Sequence, residues 1–132
     1  MNRMTEREAK AGLEARLPEI ATFPNQFPDY EIKIEIPEFT SVCPKTGLPD
    51  FGTIIIRYIP RGRCLELKSV KEYILAYRNL GIFYENAVNR ILNDVVKASK
   101  PVRAMVRGEF NPRGGIRSVI EAHYPRSRTL SP

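Results

Sequence analysis

Apolar and polar residues alternate strictly over residues 30–36, with Tyr30, Ile32, Ile34 and Ile36 on one side and Glu31, Lys33 and Glu35 on the other. A period of two predicts a strand with one wet face. Residues 51–59, a denser apolar run closed by Pro60, read as a second and more buried strand. The segment between them, residues 37–50, reads as a loop. The period then changes. Val70, Tyr73, Ile74 and Tyr77 recur at helical spacing up to a stop at Asn79-Leu80-Gly81, and Ser69-Val70-Lys71-Glu72 has the form of a capping box. A longer stripe of Tyr84, Ala87, Val88, Ile91, Leu92, Val95 and Val96 predicts a second helix from near Phe83 to Pro101. Residues 102–110 and 116–124 alternate again, joined by Asn111-Pro112-Arg113-Gly114-Gly115, whose proline and glycines suit a turn.

The resulting order is ββααββ. Two one-faced helices laid across one side of a four-stranded antiparallel sheet make a two-layer α+β domain. Ahead of it, Thr5-Glu6-Arg7-Glu8 is a second capping-box pattern that predicts a short N-terminal helix, and Pro18, Pro24 and Pro28 break up a linker. The expected organisation is therefore a helix and linker over residues 1–29, one domain over 30–124, and a flexible tail over 125–132. A sheet of this size leaves its edges open, and copies joining edge to edge would form a ring-shaped homo-oligomer.

Composition narrows the class. With 132 residues, 42% of them hydrophobic, the chain supports one core and no separate cofactor domain. No apolar run approaches the ~20 residues needed to cross a bilayer, and the start lacks a leader pattern, so the expected location is the cytoplasm, with no membrane partner. The net charge of +6 points to an anionic partner, either nucleic acid or a phosphate-bearing cofactor. Neither a G-x-G-x-x-G nor a P-loop pattern occurs, and one histidine among scattered carboxylates makes no metal-ligand cluster. No metal is expected.

In a reducing compartment Cys43 and Cys64 each count as free thiols. Cys43 lies in the 37–50 segment with hydroxyls, Lys45 and Asp50, where nearby cationic groups or loop amides would favour a thiolate and Asp50 could move protons. The competing reading makes Cys43 a small buried hydrophobe and Asp50 a turn residue. Cys64, before Leu65-Glu66-Leu67, sits in an apolar, strand-like setting that suits packing. Glu85 opens the long helix, where the macrodipole already favours a carboxylate. Lys68, Lys71 and Arg78 make either a solvated face or a phosphate site. His123 reads as a surface residue.

Several segments together resemble the QueF family of NADPH-dependent 7-cyano-7-deazaguanine reductases. Residues 39–51, Phe-Thr-Ser-Val-Cys-Pro-Lys-Thr-Gly-Leu-Pro-Asp-Phe, resemble its catalytic segment, and residues 66–73 its diagnostic motif, departing only at Glu72. Tyr77-Arg78-Asn79, Phe83-Tyr84-Glu85-Asn86 and residues 110–116 are similar to further family segments. The resemblance implies the tunnelling fold, a ββααββ unit that assembles into barrels, and a homodecamer of two stacked pentamers. It implies a cytosolic reductase of queuosine synthesis, a tRNA-modification pathway, acting on a free deazapurine nitrile with no direct nucleic-acid contact. Cys43 would form a covalent thioimide, Asp50 would move protons, and two NADPH would deliver four electrons. Leu65, Glu66, Leu67, Tyr84 and Glu85 would bind substrate, with Glu85 reading the guanine-like edge. Lys68 and Lys71 would contact the NADPH phosphates. Tyr84 stands where many members carry histidine, which implies a hydrogen-bonding role and argues against proton relay. The alternatives are the related amidinotransferase of archaeosine synthesis, and a non-catalytic basic RNA-binding module using Arg103, Arg107, Arg113 and Arg117.

Overall fold

The computed structural model describes residues 3–126. Helix α1 (Glu6–Ala9) opens on the expected box, with the Thr5 hydroxyl and the Glu8 carboxylate each taking the other's backbone amide. The linker carries a strand that has no local signature. β1 (Thr22–Pro24) pairs antiparallel with β4 (Arg63–Leu65) in a small separate sheet. The main sheet holds β2 (Ile32–Val42), β3 (Pro49–Ile59), β5 (Arg103–Arg113) and β6 (Ile116–Tyr124) in the order β2-β3-β5-β6, all antiparallel. Between β4 and β5 lie α2 (Leu67–Leu75), a 3-10 turn (Ala76–Asn79) and α3 (Tyr84–Ser99).

Two expectations need correction. The 37–50 segment is mostly strand: β2 runs on to Val42 and β3 starts at Pro49, with the pairing shifted by a bulge between Ile36 and Phe39. Pro37 lacks an N–H for the ladder, and the bulge on this outer strand absorbs it. Helix α2 begins two residues ahead of the expected box. Its cap is Glu66, whose carboxylate accepts from Lys68 N at 2.7 Å and Ser69 N at 3.0 Å. The Ser69 hydroxyl instead serves the linker, accepting from Ala21 N at 2.8 Å.

Alternate residues of the sheet, among them Ile54, Ile56 and Tyr58 of β3 and Ala104, Val106 and Phe110 of β5, are buried with Val88, Ile91, Leu92 and Val95 of α3. Each such aliphatic side chain contributes about 1.5–3 kcal/mol by leaving water. Gly108 marks the closest approach of α3: a Cβ there would lie 2.7 Å from both Val88 and Phe110 side chains. The opposite sheet face carries Arg107 between Glu109 and Glu121. Three of the four arginines considered for RNA binding are thus paired with acids, since Arg117 also reaches Glu109, at 3.9 Å, and Arg113 pairs with Asp50. The expected tail lies mainly outside the described residues; Arg126, at its start, donates to Asn89 and Asn93 on α3. No helix among the described residues is long and apolar enough to cross a membrane.

Candidate active site

The β2-β3 hairpin places Cys43. Ser41 pairs with Asp50 and Val42 with Pro49, so Cys43 is the first residue past the ladder. The turn is closed by Cys43 N donating to Leu48 O at 2.9 Å and Gly47 N donating to Cys43 O at 2.8 Å. Gly47 sits at φ +72°, where a side chain would be strained. Val42 is held from the other side by Leu80 and Ile82, whose backbones bond to it at 2.9 and 3.0 Å.

Burial pushes the Cys43 thiol up, yet the Thr46 hydroxyl and the Thr46 and Lys45 amides more than reverse this, and the thiol ends below its ordinary range. The turn's donors therefore favour the thiolate, the form that attacks electrophiles. Of the two aids expected, the helpful one at Lys45 is its amide. Asp50, inward-facing on β3 and 4% exposed, accepts from Tyr84 Oη at 2.9 Å and Arg113 Nη1 at 2.5 Å, both on Oδ1. Tyr84 is stacked on Phe110 with centroids 3.9 Å apart and planes 12° from parallel. Burial first, then the bond to Asp50, pushes its phenol up to about 12, so Tyr84 is a neutral donor at physiological pH. The next residue, Glu85, is exposed in the first turn of α3, and its carboxylate has no hydrogen-bond partner among the described residues.

Ser41 is fully buried beside Asp50, and its hydroxyl is the one buried side-chain polar atom without a partner among the described residues. Sequence reasoning passed over Ser41 and treated Arg113 as a surface cation. The signal for Arg113 lay in register, because β5 pairs Phe110 with Gly52 and so ends beside the start of β3.

Leu65, Glu66, Leu67, Lys68 and Lys71 lie elsewhere. Leu65 N donates to the buried Tyr58 hydroxyl at 2.8 Å, eight residues along β3 from Asp50, or about 26 Å at a strand's rise per residue. One chain does not bring these residues to Cys43. Lys68 and Lys71 are exposed and unpaired with acids among the described residues. Cys64 is buried and contacts Tyr30 Oη at 3.5 Å, as suits packing. His123 is on the surface beside Glu121.

Fold and site together define a two-layer α+β enzyme domain with a cysteine and an aspartate at the mouth of a hairpin. A family model described as QueF-like protein matches residues 49–129. The chain is 62% identical to the NADPH-dependent 7-cyano-7-deazaguanine reductase of Elusimicrobium minutum (strain Pei191), over 92% of this chain and 93% of that protein. It is 56% identical to the protein of the same name from Chlorobaculum tepidum, covering 83% of this chain and 95% of that one. The crystal structure of the archaeosine synthase QueF-Like in the apo form superposes with a TM-score of 0.67 at 25% identity, over 70% of this chain and 91% of that chain. The chain belongs to the QueF family.

Proposed function

We propose that the protein is an NADPH-dependent reductase that converts the nitrile of 7-cyano-7-deazaguanine to an aminomethyl group, in the cytoplasmic synthesis of queuosine. The observation that carries this reading is the Cys43 thiol, drawn below its ordinary range by turn donors and sitting next to the buried, two-donor Asp50. A nitrile carbon is electrophilic, and a thiolate at the end of a rigid hairpin is placed to add to it. Addition gives a thioimide on Cys43, with Asp50 serving the nitrogen. NADPH supplies hydride to carbon, and the balance requires two NADPH and two protons per nitrile.

Tyr84 stays a hydrogen-bond donor throughout, and Glu85, free and adjacent, suits the N–H donors of the deazaguanine edge. Lys68 and Lys71 fit a phosphate-bearing cofactor through their ammonium groups, because Glu66 already takes the Lys68 and Ser69 amides at that helix start. A bicyclic base is far shorter than the distance from Asp50 to Leu65. Leu65, Glu66 and Leu67 therefore line the pocket of a neighbouring copy, which makes a ring-shaped homo-oligomer, read as two stacked pentamers, a requirement of the site.

The amidinotransferase alternative shares the fold at 25% identity, whereas the reductases share 53–62%. The test is to supply the nitrile base and NADPH, and to follow loss of reduced nicotinamide. Two NADPH consumed per nitrile, together with no turnover by Cys43→Ala, is the expected result. Ammonia incorporation in place of NADPH oxidation would overturn the reading.

A further inference from the structure

One stripe of α2 faces away from the core. Lys68, Lys71, Glu72 and Leu75 follow one another at i, i+3, i+4 and i+7, the spacing that aligns side chains along a helix, and all are exposed. Ser69, Val70, Tyr73 and Ile74 take the buried side. Packing therefore explains none of the stripe. Lys68 and Lys71 stand in the first half of the helix, where the macrodipole disfavours a cation, and apart from the Glu66 cap the first turn carries no acid to offset them. Glu72 comes four residues after Lys68, the weaker order for a helical ion pair, and no such pair forms. Among the described residues the side chains of Lys68, Lys71 and Glu72 have neither a hydrogen-bond nor an ion-pair partner. Glu72 is also the one position at which residues 66–73 depart from the family motif.

We propose that Glu72 sets how strongly the reductase prefers NADPH to NADH: Lys68 and Lys71 hold the phosphate at the adenosine 2′ position, and the Glu72 carboxylate opposes it. This rests on the cofactor reading given above. The 2′-phosphate is the one group that separates the two cofactors, and a phosphate monoester carries about −1.5 to −2 charge at neutral pH. Side chains three and four apart on a helix lie about 5–6 Å from each other at their β-carbons, so a phosphate bound by Lys68 and Lys71 sits within reach of the Glu72 charge. In NADH the same ribose carbon bears a hydroxyl, which donates a hydrogen bond to a carboxylate. A single acid thus weakens one cofactor and supports the other. Leu75, next along the stripe and 49% exposed, offers the adenine ring an apolar surface. The pyrophosphate is common to both cofactors, and lysines holding that group instead would make Glu72 act on both alike.

The experiment measures NADPH and NADH binding by calorimetry, without the nitrile base, in wild type, Glu72→Gln and Glu72→Lys. Glutamine keeps the shape and helix propensity of glutamate and removes only the charge. NADPH affinity should rise roughly two- to fivefold in Glu72→Gln at low ionic strength, the scale of like charges about 7 Å apart at a solvated surface. The gain should shrink in about 0.5 M salt, where such charges are screened. Affinity for NADH should not rise. Glu72→Lys should tighten NADPH further, by roughly tenfold over wild type. Adenosine 2′,5′-bisphosphate should follow NADPH through the series, and adenosine 5′-monophosphate should follow NADH. An equal gain for both cofactors, or no change in either, overturns the role assigned to Glu72. Wild-type NADPH affinity in Lys68→Ala/Lys71→Ala overturns the cofactor reading at this helix, and because Glu72 is intact there, the two failures are told apart.

Discussion

Two dead enzymes should restore each other. Cys43→Ala removes the nucleophile at one end of β3. Leu67→Asp places a charge in the pocket lining near the other end, at a side chain 62% exposed in the single chain, where an acid at a helix start is well tolerated. From Asp50 to Tyr58 is eight residues, about 26 Å of strand, and Leu65 hangs from the Tyr58 hydroxyl. No single base spans that interval. If each site takes its thiol end from one copy and its Leu67 end from a neighbour, random mixing in equal amounts leaves about one site in four with both ends intact. The assay is co-expression of the two variants with different tags, purification through both tags, and measurement of NADPH oxidation. Each variant alone should be inactive, and the mixed assemblies should recover on the order of a quarter of wild-type turnover per chain. Mixed assemblies as inactive as their parents would mean that site residues from both ends meet within one chain, and would refute the reasoning.

Further outcomes follow from the site. Thr46→Val removes a hydroxyl that lowers the Cys43 thiol while leaving burial and the Asp50 charge, which raise it. The pH midpoint for iodoacetamide labelling of Cys43 should therefore move upward, and an unmoved midpoint would refute the role of that hydroxyl. With Cys43 replaced by alanine to prevent capture, Glu85→Ala should weaken binding of the nitrile base roughly ten- to over a hundredfold by calorimetry, because hydrogen bonds to a charged acceptor are worth about 1.5–3 kcal/mol. Unchanged affinity would leave Glu85 as a helix-end carboxylate only. Ser41→Ala removes a buried, unpartnered hydroxyl and should raise stability to denaturant by about 1 kcal/mol; a lower unfolding midpoint would show that the hydroxyl has a partner.

The main elements were legible because their periods are clean. The alternation over residues 30–36 and the stripe from Tyr84 to Val96 each locate an element, and the order ββααββ follows. What escaped depends on contacts distant in sequence. Thr22-Phe23-Pro24 becomes a strand only because Cys64 and its neighbours lie alongside. The far half of β2 was hidden by Pro37 and Glu38, residues that read as loop until the bulge is seen. At α2, serine is the better cap by type, so the pattern favoured Ser69, but Ser69 is bonded to the linker and Glu66 takes the cap. Cys43 and Asp50 were found through motif resemblance, whereas the pair formed by Asp50 and Arg113, 63 residues apart, follows from strand order and a bulge that no spacing announces.

The bulge at Pro37 has a consequence for the sheet's free margin. β2 is an outermost strand, the kind of surface on which stray chains add and fibrils start. Pro37 offers that margin no N–H, and the register shift between Ile36 and Phe39 bends the strand there. An incoming strand thus finds two short ladders separated by a gap instead of one continuous track. A neighbour displaced by a residue or two would carry its own contacts across the gap and lose them, so slippage is penalised. The same residue that hid the strand from its sequence pattern acts as a guard against aggregation and a marker for alignment.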